Sequence, residues 1–120
     1  MSRARLIPAL AVAILLGGCS RGPATTGFGD PERGKVIMGR QACGSCHLIP
    51  GLEQSDGLAG PPLDEFGKRG VIAGVLPNTP DNLALWLKSP QTVAPGNAMP
   101  DMGLADRDAR DVAAFLEGLR

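Results

Sequence analysis

Cys43, Cys46 and His47 stand in the run CGSCH, two thiols three residues apart with the only histidine of the chain directly behind the second. Three chemistries use such a cluster. A thioredoxin-like dithiol has this spacing but sits in a βαβ setting, and no segment of the chain shows the apolar–polar alternation of a strand. A structural zinc site takes four ligands. With Cys19 set apart for the reason given below, only Cys43, Cys46 and His47 remain as thiolate or imidazole donors, and the adjacency of His47 to Cys46 makes joint ligation of one ion awkward. Attachment of a c-type haem meets neither objection: two thiols near one helical turn each add to one vinyl group of the porphyrin, and the next residue lies beneath the iron. His47 is then the proximal ligand.

The second axial position decides what such an iron does. A sole histidine excludes bis-histidine ligation within one chain, which leaves methionine, lysine or an open site. Of the four methionines, Met1 belongs to a leader segment, and Met38 lies five residues before Cys43, where a core-packing role is expected. Met99 and Met102 lie in the loop PGNAMPDMG, far enough along the chain to return across the opposite haem face. By chemistry alone either can reach the iron. An open site would instead make a five-coordinate haem enzyme or gas sensor, a reading disfavoured by the absence of a distal His or Arg near that loop.

The elements that must position these residues occupy one domain, because 120 residues are too few for two cores of ordinary size. Aromatics are 3% of the chain while Gly reaches 17 and Pro 11, so few large side chains are available to fill an interior. A flat apolar macrocycle would fill it instead. Basic and acidic residues balance at 12 each, with no surplus of positive charge for nucleic acid.

Residues 1–18 read as a signal peptide: Arg3 and Arg5 precede an apolar run over 6–16 that ends in small residues. That run spans roughly 16 Å as a helix, about half the hydrocarbon thickness of a bilayer. LGGC at 16–19 resembles the lipobox of bacterial lipoproteins, in which the signal is cut before the cysteine and its thiol carries a diacylglyceryl group. Cys19 is therefore the expected lipid attachment site, and the mature chain would carry two more acidic than basic residues. Residues 20–29, rich in Gly, Ser, Thr and Pro, read as the tether of a lipid-anchored segment over 19–29. The domain proper runs over 30–120.

Within it, Asp30 as N-cap and Pro31 at the first position predict a helix leading straight into Cys43. Gly34 and Gly39 inside it each cost on the order of 1 kcal/mol relative to Ala, which calls for a packing reason. Residues 48–78 are punctuated by Gly and Pro without sustained period and read as loop wrapped around something. Thr79 and Pro80 start a second helix, with Leu83, Trp86 and Leu87 on one face, that ends at Ser89-Pro90. The stretch 91–103 is again irregular. Val112, Phe115, Leu116 and Leu119, at helical spacing, mark a last helix.

From about residue 30 to residue 119 the chain resembles a class I cytochrome c. The likeness is carried by GKVIMGRQACGSCH at 34–47, GPPL at 60–63 and AMP at 98–100. In detail, residues 74–104 look like the cytochrome domains found free in proteobacteria or fused to the copper-bearing subunit of haem-copper oxidases. The resemblance implies an all-α fold of three main helices and long loops around one haem c bound covalently through Cys43 and Cys46. It implies His47 and Met99 as the iron ligands, with Met102 a loop or pocket residue. Pro61 would accept, through its carbonyl, the other ring N–H of the histidine, and Leu63 would line that face. Trp86 falls where the family often has an aromatic beside the methionine sulfur, although Tyr is more usual there. Gly34 matches a glycine that lets the first and last helices cross closely, against Phe115 and Leu116. Lys68 and Arg69 are candidates for contact with a haem propionate.

The implied function is electron transfer rather than catalysis: a one-electron carrier between respiratory complexes at the periplasmic side of a membrane, with no small-molecule substrate. Its partners would be redox proteins, a quinol-oxidising complex or dehydrogenase as donor and a terminal oxidase as acceptor. It could equally be a cytochrome subunit of such a complex.

Overall fold

The computed structural model describes residues 27–120. The signal peptide, Cys19 and most of the tether lie outside them. The first helix, α1 (Pro31–Arg40), begins as its sequence dictates: the Asp30 carboxylate accepts from the backbone N–H groups of Glu32 and Arg33 at 3.0 and 3.2 Å, and Pro31 occupies the position where a missing N–H costs nothing. It stops short of Cys43. Ala42 turns left-handed at φ 53°, and Cys43–Ser45 form a separate 3₁₀ turn, so the CGSCH residues sit on a reversal after the helix rather than on its last turn.

The Gly- and Pro-rich middle is largely loop but holds two small regular pieces that the pattern did not predict. Phe66–Lys68 make a 3₁₀ turn, and Val71–Ile72 (β1) pair antiparallel with Leu76–Pro77 (β2), Ile72 facing Leu76. Residues 73–75 connect the strands, with Ala73 and Gly74 left-handed at φ of 49° and 73° and the Val75 N–H bonded to the Ile72 carbonyl. Two-residue strands are too short to show alternation. Helix α2 (Pro80–Lys88) is capped by Thr79, whose hydroxyl accepts from Asn82 N–H. Pro90 does not end the helical run for good: it opens a single further turn, α3 (Pro90–Val93), because a proline fits the first turn of a helix. Helix α4 (Asp106–Glu117) completes the chain.

The result is a mostly helical fold with one small sheet. Helix α4 is the centre, packing on α1 along one side and α2 along another. Its buried face is formed by Ala109, Val112, Ala113 and Leu116, whereas Phe115 is only partly buried and Leu119, also partly buried, lies beyond the helix end at Glu117. The small alanines let neighbouring elements approach. A Cβ on Gly34 would lie 2.0 Å from the Asp111 carbonyl oxygen, so α1 and α4 cross in contact. The crossing falls at Asp111 and Val112, earlier along α4 than Phe115 and Leu116. Gly39 has no such reason, since its nearest neighbour would be Leu52 at 3.8 Å.

A polar clasp ties the same two helices. Asp111, 3% exposed, accepts from the Asp30 N–H at 2.8 Å and from the Arg33 guanidinium, which also reaches Asp108. These two carboxylates hold the Arg33 guanidinium above its ordinary range. Lys88 at the end of α2 pairs with Asp106 at the start of α4 and lowers that carboxyl below the usual range. No helix among the described residues is long and apolar enough to cross a membrane.

Candidate functional site

The helices and the middle loop enclose a cavity of about 430 Å³. Cys43, Cys46, His47, Pro61, Leu63, Trp86 and Met99 all line it. They come from the turn after α1, the loop before the hairpin, α2, and the loop after α3, so residues up to 56 positions apart in the chain meet in one space. Met102 lines it too, and so does Met38, which is 1% exposed and packed in the core as expected. Most remaining walls are hydrocarbon: Phe66, Ile72, Leu83, Leu87 and Leu116.

His47 is oriented from both ends. Its ring Nδ1 lies 2.7 Å from the Pro61 carbonyl oxygen. A carbonyl only accepts, so Nδ1 carries the proton and Nε2 keeps its lone pair for a metal. The backbone carbonyl of His47 accepts from the Ser55 hydroxyl at 2.9 Å, and the Ser55 Oγ in turn accepts from the Ile49 N–H at 2.6 Å. Gly60 supplies the clearance: a Cβ there would stand 2.3 Å from the ring Cε1 and 2.6 Å from Nδ1. Its own N–H bonds to the Cys46 carbonyl at 2.7 Å, and Gly57 N–H bonds to the Gly44 carbonyl at 3.0 Å, so the segment before Pro61 is stitched to the turn that carries Cys43 and Cys46.

Cys43 and Cys46 carry free thiols, Cys43 half-buried and Cys46 exposed. Burial pushes the Cys43 thiol up, with a smaller push from Cys46. That is the reverse of the low-pKa, electropositive thiol that disulfide-exchange chemistry needs. Nor do the described residues contain a cluster of three or more His, Cys, Asp or Glu arranged to hold a metal ion.

Lys68 and Arg69 part company. Lys68 pairs with Glu65 and is absent from the cavity wall, whereas Arg69 lines it as its one charged residue. The Arg69 guanidinium donates to the carbonyls of Pro62 and Asp64 and lies 5.2 Å from the centre of the Phe66 ring. It thereby pins the loop just beyond Pro61.

A family model for cytochrome c matches residues 31–120. The chain belongs to the cytochrome c family. Membership in the cytochrome c family implies a covalently bound haem c and makes the chain an electron carrier. The site's residues fit such a group: an apolar cavity, two thiols at its edge, an imidazole with a free Nε2, and a thioether on another loop. Among similar proteins is cytochrome c oxidase subunit 2 of Alkalihalophilus pseudofirmus, 34% identical over 90 residues that make up 74% of this chain and 25% of that one. The Bacillus subtilis protein of the same name is 30% identical over 93 residues, covering 74% and 26% of the two chains. That of Bacillus sp. strain PS3 is 36% identical over 74 residues, 58% and 20%. The cytochrome chain thus spans about a quarter of the length of these relatives.

Four positions escaped sequence reasoning. Ser55 and Gln91 carry no sequence signal, because their partners lie five to ten residues away and are set by how irregular loops fold back. Gly60 precedes two prolines, but nothing nearby tells that an imidazole lies against it. Asn97 was legible in part: an Asn two residues before Met99 can accept that residue's N–H through its side chain.

Proposed function

We propose that Cys43 and Cys46 hold one haem c through thioethers, that His47 and Met99 are its axial ligands, and that the domain is a one-electron carrier between respiratory complexes. What supports this reading is the convergence of those four residues on a single apolar cavity, with the His47 ring turned by Pro61 so that Nε2 is the free lone pair. Haem c bound there supplies a reversible ferrous–ferric couple.

The chain's own residues do the rest. Pro61 and Gly60 fix the imidazole, and the loop bearing Met99 presents a neutral, soft sulfur that favours ferrous iron and raises the reduction potential. Leu63, Phe66, Ile72, Leu83 and Leu87 keep water from the interior, which pushes the potential the same way. With His47 and Met99 both bound, no position remains for oxygen, peroxide or a substrate, so a five-coordinate enzyme or sensor requires Met99 to be off the iron.

Similarity to oxidase subunits supports a place beside a terminal oxidase as acceptor, either as a free shuttle or as a cytochrome subunit; a quinol-oxidising complex or a dehydrogenase is the donor class. Residues 1–18 are the signal peptide, Cys19 carries lipid, residues 19–29 tether the domain, and residues 30–120 work at the periplasmic side of the membrane. Nucleic acid and small-molecule substrates have no part in it.

The ligand assignment is tested in the oxidised holoprotein. Met99→Ala should abolish the weak red absorption band of a methionine–ferric bond, and Met102→Ala should keep it; the reverse result reassigns the sulfur. A mature polypeptide whose mass includes no porphyrin would end the proposal.

A further inference from the structure

Met99 lies in a loop with no helix or strand to pair its backbone, yet both of its main-chain groups are occupied. Its N–H donates to the Asn97 side-chain oxygen at 2.7 Å, and its carbonyl accepts from the Gln91 side-chain amide at 2.7 Å. Two side-chain amides therefore do for this residue what a ladder does in regular structure.

Each of those amides is itself saturated. Asn97 Nδ2 donates to the carbonyls of Pro90 and Ala94 at 3.0 and 2.7 Å. Gln91 Nε2 donates also to the Asn97 carbonyl at 2.9 Å, and its Oε1 accepts from the Gly96 N–H at 3.1 Å. Residues 94–97 form a turn closed by Asn97 N–H on Ala94, with Gly96 at φ 80° where a type II turn requires a left-handed residue. The network is rooted in α3 through Pro90, which is among the most deeply buried side chains described.

Resting on the assignment of Met99 as the sulfur ligand, we infer that Gln91 and Asn97 are positioning residues that keep its thioether on ferric iron. The physical reason is the weakness of that bond: a soft neutral sulfur binds the harder ferric ion less well than the ferrous one. Loop order decides whether the sulfur stays in place once the iron is oxidised. A freely moving loop would pay the entropy of ordering each time the sulfur returned. The amide hub meets that cost at folding.

The test uses holoprotein with Gln91→Ala, Gln91→Glu and Asn97→Asp. Gln91→Glu keeps the shape and the acceptor for Gly96 but turns an anionic oxygen toward the carbonyls of Asn97 and Met99. Asn97→Asp keeps the acceptor for Met99 N–H and loses both donors. In the ferric state each variant should show a weaker red band and bind cyanide faster, on the order of tenfold per lost hydrogen bond of ordinary net strength. Ferrous spectra should be unchanged. Thr92→Ala, an exposed position on the same turn, should bind cyanide at the wild-type rate.

Wild-type cyanide rates and full red bands in Gln91→Ala and Gln91→Glu, alongside a Met99→Ala protein that has lost its band, would overturn the inference and leave the ligand assignment standing. A Met99→Ala protein that keeps its band would overturn both. Should Gln91→Ala fail to fold, the two isosteric variants carry the same readouts.

Discussion

The His47 ring can lie where it does only because residue 60 has no side chain. Gly60→Ala would put a carbon 2.3 Å from the ring, and the imidazole would have to move away from the Pro61 carbonyl. We expect the substitution to lower holoprotein stability by about 1–3 kcal/mol, the usual cost of overpacking, in denaturant titration, and to reduce the yield of haem-loaded protein. An unchanged midpoint and yield would mean that the loop has slack the geometry does not suggest. The Cys pair and His47 were visible in the sequence because local spacing carries their chemistry, and Pro61 was expected from the family resemblance alone. Gly60 and Ser55 were not, since what each touches lies across a loop and not beside it in the chain.

At the scale of elements, the crossing of α1 and α4 sets the cavity's back wall through Met38 and Leu116. Gly34 and Gly39 look alike in sequence and carry the same propensity penalty in α1. The structure separates them. Gly34→Ala should destabilise the fold by about 1–3 kcal/mol, because its Cβ would enter the Asp111 backbone. Gly39→Ala should stabilise it by up to about 1 kcal/mol, because the new methyl meets only ordinary contact and the helix gains a better former. Opposite shifts in the unfolding midpoint check the pair; equal shifts would refute the close crossing. Helix α2 was readable from its cap and apolar face, and α4 from its apolar period alone. The hairpin of Val71–Ile72 with Leu76–Pro77 and the single turn of α3 were not, being too short to leave a periodic trace.

For the whole molecule, the lipid proposed on Cys19 would determine which partners the carrier meets. Cys19→Ser should release the haem protein from membranes into the soluble fraction, as judged by haem staining after fractionation; unchanged retention would count against a lipid on Cys19. The proposed tether of 10 residues would have a root-mean-square reach of roughly 18 Å, enough to confine search to the surface without fixing orientation. The similarity covers about a quarter of each of those oxidase subunits.

What the amino-acid sequence determined by itself is the chemistry that depends on neighbours along the chain: two thiols and an imidazole at fixed spacing, a proline-bounded methionine, and helices marked by caps and period. Tertiary structure alone decided the chemistry that depends on neighbours in space. It set Gly60 against the His47 ring, Gly34 against Asp111, Arg69 rather than Lys68 at the cavity, and the amide of Gln91 on the carbonyl of Met99. The physical reason is range. Capping, turns and periodicity act over a few residues, whereas clearance and hydrogen-bond closure are settled only when distant segments pack.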